Sequence, residues 1–531
     1  MKTVATFSQN TPDISAQLTA SREEVAQLKH ELQWLKRQLF GRKSEKQVID
    51  NPDQSSLFAI NSSDVALDTP KKQIKAHTRS SKKQTSEDDM HDNGLRFSSD
   101  VPQKIIDVPS PELEGDNADQ YEVMGVKETR RLAQQPGSYM ILVYRRHVLR
   151  LKTEQTLKDT PAPTNVLEGC YADVSLLAGL MVDKAVYHLP LHRQHQRMLD
   201  AGITISRATL TAYVKKGIEL LRPIERAQWR NIVSGNNLAM DEVPMKAGRI
   251  HTSNSTASRT TRKMKQTYFW PLYGEQDEVA FTWSKSRSMA HAMEQLQDFT
   301  GTLLTDGYSA YTSVVKTLNT QQHTITHASC WAHLRRMFEK ALDAAPTEAQ
   351  WALDTIAKLY QIETHIRDKQ MAADEITQTR VKHSEPLITQ FYQWIYEQRQ
   401  RLDLLPKHPL TKALNYAHNR HDQMKVYLTH PQVAIDTNHL ERALRVIPMG
   451  RKNHLFCWTE LGAEQLGILH SLTVTCRLHG INPYHYLVDV LQRVAQHPAK
   501  NVMDLTPRRW KELFADKRLR SDVEYTSSEE K

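Results

Sequence analysis

The order of apolar periodicities between residues 237 and 338 restricts the fold of this 531-residue chain more than any other feature. Leu238-Ala-Met240 stands before Asp241. Tyr268-Phe-Trp-Pro-Leu-Tyr273 and Val279-Ala-Phe-Thr-Trp283 follow, and Gly, Asp, Glu or Ser bound each run, as expected of three successive strands. Their short connections predict an antiparallel meander. A helical stretch around Met289 to Phe299 comes next, and Gly301-Thr-Leu-Leu-Thr305 then delivers Asp306-Gly307-Tyr308. A further strand, Thr324 to Ser329, leads into the helical Cys330-Trp-Ala-His-Leu-Arg-Arg-Met-Phe338. The order is strand, strand, strand, helix, strand, helix, strand, helix.

That order is the one of a ribonuclease H-like fold, here expected within an α+β or α/β multidomain chain. Its first and fourth strands are neighbours in the sheet, so Asp241 and Asp306, each at a strand end, are expected side by side. Either aspartate alone reads as a turn former. After a long helical stretch, with Trp351, Leu353, Ile356, Leu359, Ile362 and Ile366 at helical spacing, comes Ala434-Ile-Asp436-Thr437-Asn438-His439-Leu440-Glu441-Arg442-Ala443-Leu444-Arg445. There Asp436 or Thr437 caps a helix whose Leu440, Leu444 and Ile447 share one face, while Asn438, Glu441 and Arg445 share another. Spacing alone equally allows a plain Glu441–Arg445 surface pair.

Three carboxylates without soft ligands suit Mg²⁺ or Mn²⁺. Two such ions about 3.5 to 4 Å apart serve an in-line phosphodiester displacement. Catalytic and metal-binding candidates are therefore Asp241, Asp306 and Glu441. Glu242, next to Asp241, is expected on the opposite strand face by alternation, in a supporting role at most. Cys330 and His333, one helical spacing apart, lack further paired ligands and read as packing residues.

Outside this core, Leu18, Val25, Leu28, Leu32, Leu35 and Leu39 repeat at heptad spacing and predict a coiled-coil helix over 14–46; a lone amphipathic helix fits the same pattern. Residues 47–100, rich in Ser, Asp, Lys, Gln and Asn, read as a flexible linker. A small β-rich module is expected at 101–160, clearest in Tyr139-Met-Ile-Leu-Val-Tyr144. In 172–225 one helix ends at Met198-Leu199-Asp200-Ala201-Gly202 and Ser206 caps a second, which is the layout of a helix-turn-helix. Arg207, Thr211, Lys215 and Lys216 are then candidates for DNA contact. The catalytic core is expected at 236–475 with a helical insertion at about 340–430, and a C-terminal helical region and tail at 476–531.

Lys plus Arg number 70 against 61 Asp plus Glu, an excess of +9 that favours a polyanionic partner. The longest apolar run, Leu176 to Val182, falls far short of the roughly 18 residues that suggest a membrane span. MKTVATFSQNTPD lacks an apolar signal-peptide core, and Cys170, Cys330, Cys457 and Cys476 form no CxxC pair, so a cytoplasmic protein without a disulfide framework is expected.

Several long motifs, in order over most of the chain, resemble the insertion sequence 66 transposases of bacterial mobile elements. They are Leu35-Lys-Arg-Gln-Leu-Phe-Gly-Arg-Lys-Ser-Glu-Lys46, His188-Leu-Pro-Leu-His-Arg-Gln194, Ile205-Ser-Arg-Ala-Thr-Leu210, Thr305-Asp-Gly-Tyr308, Cys330-Trp-Ala-His-Leu-Arg-Arg336, Glu441-Arg-Ala-Leu-Arg445, Gly450-Arg-Lys-Asn-His-Leu-Phe456 and Leu478-His-Gly-Ile-Asn-Pro-Tyr484. The resemblance implies a ribonuclease H-like domain whose DDE triad maps onto Asp241, Asp306 and Glu441. It further implies a helical insertion between the last two, action on element ends and in target DNA, and small accessory proteins from the same element. Many such proteins carry a cysteine-based zinc module between coiled coil and helix-turn-helix. Residues 101–155 hold no cysteine, so no zinc is expected there. Asp241-Glu-Val-Pro244 lacks the threonine usual after the acidic pair, a departure of little expected consequence.

Beside the third carboxylate, Arg442, Arg445, Arg451, Lys452 and Asn453 are expected to hold DNA backbone near the scissile phosphate. The leading reading is metal-dependent strand cleavage and transfer by a homo-oligomer, associated with the nucleoid when bound to DNA. A transposase-derived DNA-binding or self-associating protein that no longer cleaves is the alternative. A structure-selective nuclease fits the carboxylates too, but not the helix-turn-helix and coiled-coil leader.

Overall fold

A computed structural model describes residues 89–92, 95–99, 101–115, 118–135, 137–152, 157–249 and 264–525. The coiled-coil segment and most of the linker lie outside the described residues. The linker's last part, however, is built into the fold. Strands β1 (Asp89–Asp92) and β2 (Leu95–Ser98) form an antiparallel hairpin. Phe97, 1 % exposed, anchors it in an apolar cluster with Val101, Ile203 and Met198. Met90, Leu95 and Phe97 scattered in a polar stretch were too weak a signal to end the linker before 100.

The next segment is a four-stranded sheet. β3 (Gln103–Val108) pairs parallel with β5 (Ser138–Leu151), while β4 (Tyr121–Gln135) and β6 (Leu157–Asp159) pair antiparallel with it. Tyr139, Ile141 and Val143 face one apolar cluster, and Leu142 and Tyr144 face another, because successive strand residues point to opposite sides.

Helix α1 (Val174–Ala185) starts at Asp173, whose carboxylate accepts from the Ser175 amide. α2 (Leu191–Asp200) ends at Gly202, whose φ of +75° favours glycine, and β7 (Ile203–Thr204) joins β2. Ser206 then caps α3 (Arg207–Val233), its hydroxyl accepting from the Thr209 amide at 3.0 Å. The second helix does not stop near 215 or 225. It runs 27 residues, through Pro223, almost to the first strand of the next sheet. Leu210, Val214, Ile218, Leu221 and Ile224 repeat on its buried face and Ala227 and Ile232 continue the series, so the apolar stripe carries the helix past the expected boundary.

The central sheet holds β8 (Asn237–Met240), β9 (Val243–Arg249), β10 (Met264–Gly274), β11 (Val279–Ser284), β12 (Gly301–Thr305) and β13 (Ile325–Ser329), in the order β11-β10-β8-β12-β13. β8 and β9 both pair with β10 and behave as one strand broken at Asp241-Glu242. The first three runs form the antiparallel part, and β8, β12 and β13 run parallel. Helices α4 (Met289–Leu296), α5 (Ser309–Thr320) and α6 (Trp331–Glu339) occupy the intervals after β11, β12 and β13. Both faces are covered: Leu238, Met240 and Leu303 join one cluster, Ala239 and Leu304 another.

The segment from α7 (Pro346–Asp368) through α8 (Ala373–Thr379), α9 (Glu385–Arg399) and α10 (Pro409–His418) to α11 (His421–Thr429) is helical. Its Phe391, Ile356 and Leu414 pack in the same cluster as Trp331, Leu334 and Phe338 of α6. α12 (Asn438–Leu444) and α13 (Val446–His454) follow. α14 (Glu460–Leu478) passes unbroken through 475 and 476, so no domain boundary falls there; its Leu466 faces the sheet cluster and its Leu469 and Leu472 face α1 and α3. α15 (Pro483–Arg493) and α16 (Pro507–Leu513) complete that second cluster. Among the described residues no helix is long and apolar enough to cross a membrane.

Candidate functional site

Backbone register brings the two aspartates together. β8 and β12 pair with Ala239 opposite Leu304, and two residues further along each strand stand Asp241 and Asp306. Their carboxylates, with that of Glu242, offer oxygen atoms that all lie within 4.8 Å of one another. Among the described residues this is the group of acidic, histidine or cysteine side chains gathered closely enough to share an ion.

The turn after β12 explains the Asp-Gly-Tyr order. Asp306 accepts from the Tyr308 amide at 2.8 Å, which orients its carboxylate. Gly307 has φ +90°, and a Cβ there would lie 2.4 Å from the Tyr416 hydroxyl and 2.6 Å from Arg420 Nε. Those two insertion residues clamp the turn: Tyr416 donates its hydroxyl to the Asp306 carbonyl and Arg420 donates to the Gly307 carbonyl. The helical insertion therefore builds the site as well as filling space.

Glu242 contradicts the expectation from alternation. Residues 241 and 242 fall in the break between β8 and β9, where the two-residue period no longer applies, and the Glu242 side chain turns inward, 2 % exposed. Tyr311 donates its hydroxyl to it at 2.7 Å and Arg287 donates through Nε at 2.7 Å. Arg287 in turn lies over the Tyr308 ring, 3.9 Å from its centroid. Sequence reasoning missed Tyr311 and Arg287, because neither belongs to a local pattern that includes Glu242.

Charge is poorly balanced at this spot. Asp241 is pushed up to about 8, first by burial, then by the carboxylates of Asp306 and Glu242 and to a smaller extent Glu441, against one hydrogen bond from the Glu242 amide. Glu242 is also raised, by burial, although Tyr311 and Arg287 oppose the shift. Oxygen donors crowded together suit a hard divalent cation.

Glu441 lies close enough to influence Asp241 but points elsewhere. Nη2 of Arg336, on α6, donates to both its oxygens, at 2.7 and 2.5 Å, and Arg336 Nη1 hydrogen-bonds His333 Nε2 at 3.0 Å. The partner is thus Arg336, 105 positions away, and not Arg445, which is exposed. Burial lowers the His333 pKa. Cys330, buried at the start of α6, accepts from the Thr437 amide and hydroxyl at 3.3 Å each, and burial pushes its thiol up to about 11. It ties α6 to the segment before α12. Asp436 accepts from the Asn438 amide at 3.0 Å and so begins α12.

Of the expected DNA-contact residues, Arg207, Lys215 and Lys216 are exposed along the start of α3, and Thr211 is half-buried with its hydroxyl donating to the Arg207 carbonyl. Arg442, Arg445, Lys452 and Asn453 are exposed. Arg451 is half-buried and donates to the Pro244 carbonyl at 2.7 Å, holding α13 against β9.

Comparison with known proteins adds an independent line. Residues 169–465 match the family described as Transposase IS66 family, residues 471–508 match the IS66 C-terminal element, and residues 27–90 match Transposase C of IS166 homeodomain. That last match overlaps the coiled-coil and linker segments. The Sinorhizobium fredii uncharacterized proteins y4qI and y4hP are 28 % and 26 % identical to this chain, covering 77 % and 74 % of it and 76 % and 72 % of their own lengths. A chain of the Drosophila P element transposase strand transfer complex aligns at a TM-score of 0.31 and 10 % identity, covering 60 % of this chain and 93 % of that one. Residues 169–465 amount to more than half of the sequence, and the chain belongs to the IS66 family of transposases.

Proposed function

We propose that this transposase is a DDE enzyme with a ribonuclease H-like core, cutting DNA strands at element ends and joining them to target DNA. The observation that carries the reading is the meeting of Asp241 and Asp306 at the ends of two adjacent parallel strands. The strand order and the helices after β11, β12 and β13 support it.

Asp241 and Asp306, joined by Glu441, would hold one or two Mg²⁺ or Mn²⁺ ions. A bound divalent cation supplies Lewis-acid stabilisation of the charge that develops on the attacking and leaving oxygens. The chain's residues do the rest. The Asp306 turn, clamped by Tyr416 and Arg420, sets one carboxylate rigidly. Arg287 and Tyr311 hold Glu242 turned inward beside the two aspartates and oppose the rise that burial imposes on its pKa. Arg207, Thr211, Lys215 and Lys216 on α3, and Arg442, Arg445, Arg451, Lys452 and Asn453 beside Glu441, would position the phosphate backbone. A homo-oligomer with small accessory proteins, gathered on DNA, belongs to the same reading.

Cleavage of labelled element ends with Mg²⁺ tests it, comparing the unaltered chain with Asp306→Asn. Cleavage should fall to background while DNA binding persists; equal cleavage by both would overturn the mechanism. Pairing of Glu441 with Arg336 favours a second reading, a DNA-binding protein descended from a transposase and no longer catalytic. Binding without cleavage by the unaltered chain would establish that instead.

A further inference from the structure

Glu441 and Arg336 form an ion pair at the border of the acidic cluster, with side chains 29 % and 42 % exposed. A pair this open contributes little and exchanges partners readily. Arg336 also faces a cleft of about 280 Å³ that it lines with Arg335, Asn438, Tyr360, Glu339 and Ala332, so an incoming anion has access to it. Arg335 is engaged by Glu339 in that cleft, which leaves Arg336 with a partner drawn from the catalytic set. A guanidinium recognises phosphate oxygens as well as carboxylate oxygens. Without a cation, parking Glu441 on Arg336 keeps a further negative charge off Asp241, Glu242 and Asp306.

We propose that Arg336 is a phosphate-binding residue that guards the site. Before DNA arrives it holds Glu441 away; when a strand phosphate takes the guanidinium, Glu441 is released to join Asp241 and Asp306 on the cation. This rests on the metal-site reading above. His333 is the positioning residue that aims Arg336. Linkage then requires DNA and metal to tighten each other by an equal factor. A part-exposed pair sets that factor at about two- to fivefold.

The test is titration calorimetry of Mn²⁺ on the full chain, with and without a duplex carrying an element end. The duplex should tighten Mn²⁺ by that factor in the unaltered chain. In Arg336→Ala, Mn²⁺ should already bind more tightly without DNA, the duplex should add nothing, and the salt slope of duplex binding should fall by about 0.9. Removing a cation beside the site could by itself favour Mn²⁺, so the same substitution is repeated in Glu441→Gln. Release of Glu441 predicts no tightening in that background, and equal tightening in both backgrounds would overturn the proposal. Asp306→Asn separates the failures. If it abolishes Mn²⁺ binding while Arg336→Ala changes nothing, the guard alone is wrong; if it leaves Mn²⁺ binding intact, the metal site is wrong.

Discussion

The strand-borne and helix-borne halves of the proposed acidic site are held by different forces. Asp241 and Asp306 are placed by the hydrogen-bonded register of β8 and β12, and the Asp306 turn is further clamped by Tyr416 and Arg420. Glu441 sits on a seven-residue helix and is aimed by its ion pair with Arg336, with His333 Nε2 3.9 Å from its carboxylate. Backbone register is costly to change, whereas a part-exposed ion pair is cheap to exchange. One half is therefore preformed, and under the proposed guard the other answers to what binds.

The largest test of that contrast is Trp331→Ala. Trp331 is fully buried, donates its indole N–H to the Met424 carbonyl at 3.0 Å, and starts the helix that carries His333 and Arg336. Its loss should lower unfolding free energy by about 3–5 kcal/mol in urea titration. A shift below about 1 kcal/mol would show that α6 is not anchored through the insertion. Gly307→Ala should have a smaller effect, about 1–3 kcal/mol, since it meets both a left-handed backbone and the Tyr416–Arg420 clamp. It should also weaken Mn²⁺ binding more than any change confined to α12; equal effects would erase the distinction between the halves.

The smallest effect concerns Glu225 on α3, pushed up to about 7 by burial against the opposing pull of Arg222 and Arg226. It is a raised carboxylate outside the acidic cluster. Its folded value lies above the unfolded value of about 4.3, so its stabilising neutral form is complete below that pH and lost as pH climbs through about 7. Glu225→Gln should flatten the fall in unfolding free energy between pH 5 and pH 8, by less than about 1 kcal/mol after allowing for solvent. Mn²⁺ should leave that fall unchanged, in contrast to its effect on the strand ends. A Mn²⁺ dependence at Glu225 would break the comparison.

Much of the central sheet was legible because its strands are apolar runs closed by acidic or glycine residues. The break at Asp241-Glu242 was not, since a strand that resumes at Val243 carries no sign of its interruption in a period of two. The hairpin at 89–98 was hidden for the opposite reason: its composition is that of a tether, and the burial of Phe97 and the pairing of β2 with β7 tie it down. α3 outran its expected end because a recognition helix is short, whereas the buried apolar positions here continue from Leu210 through Ile224 to Ile232.

What the sequence by itself determined is the order of strands and helices, because local periodicity encodes it, and that order is the one of a ribonuclease H-like fold, in which the strands before Asp241 and Asp306 are neighbours. The register that sets the two aspartates side by side came from the tertiary structure. Only the tertiary structure decided that Glu242 turns inward to Tyr311 and Arg287, and that Glu441 meets Arg336. Those contacts join side chains 45 to 105 positions apart, and no repeat along the chain encodes a meeting that depends on how separate helices pack.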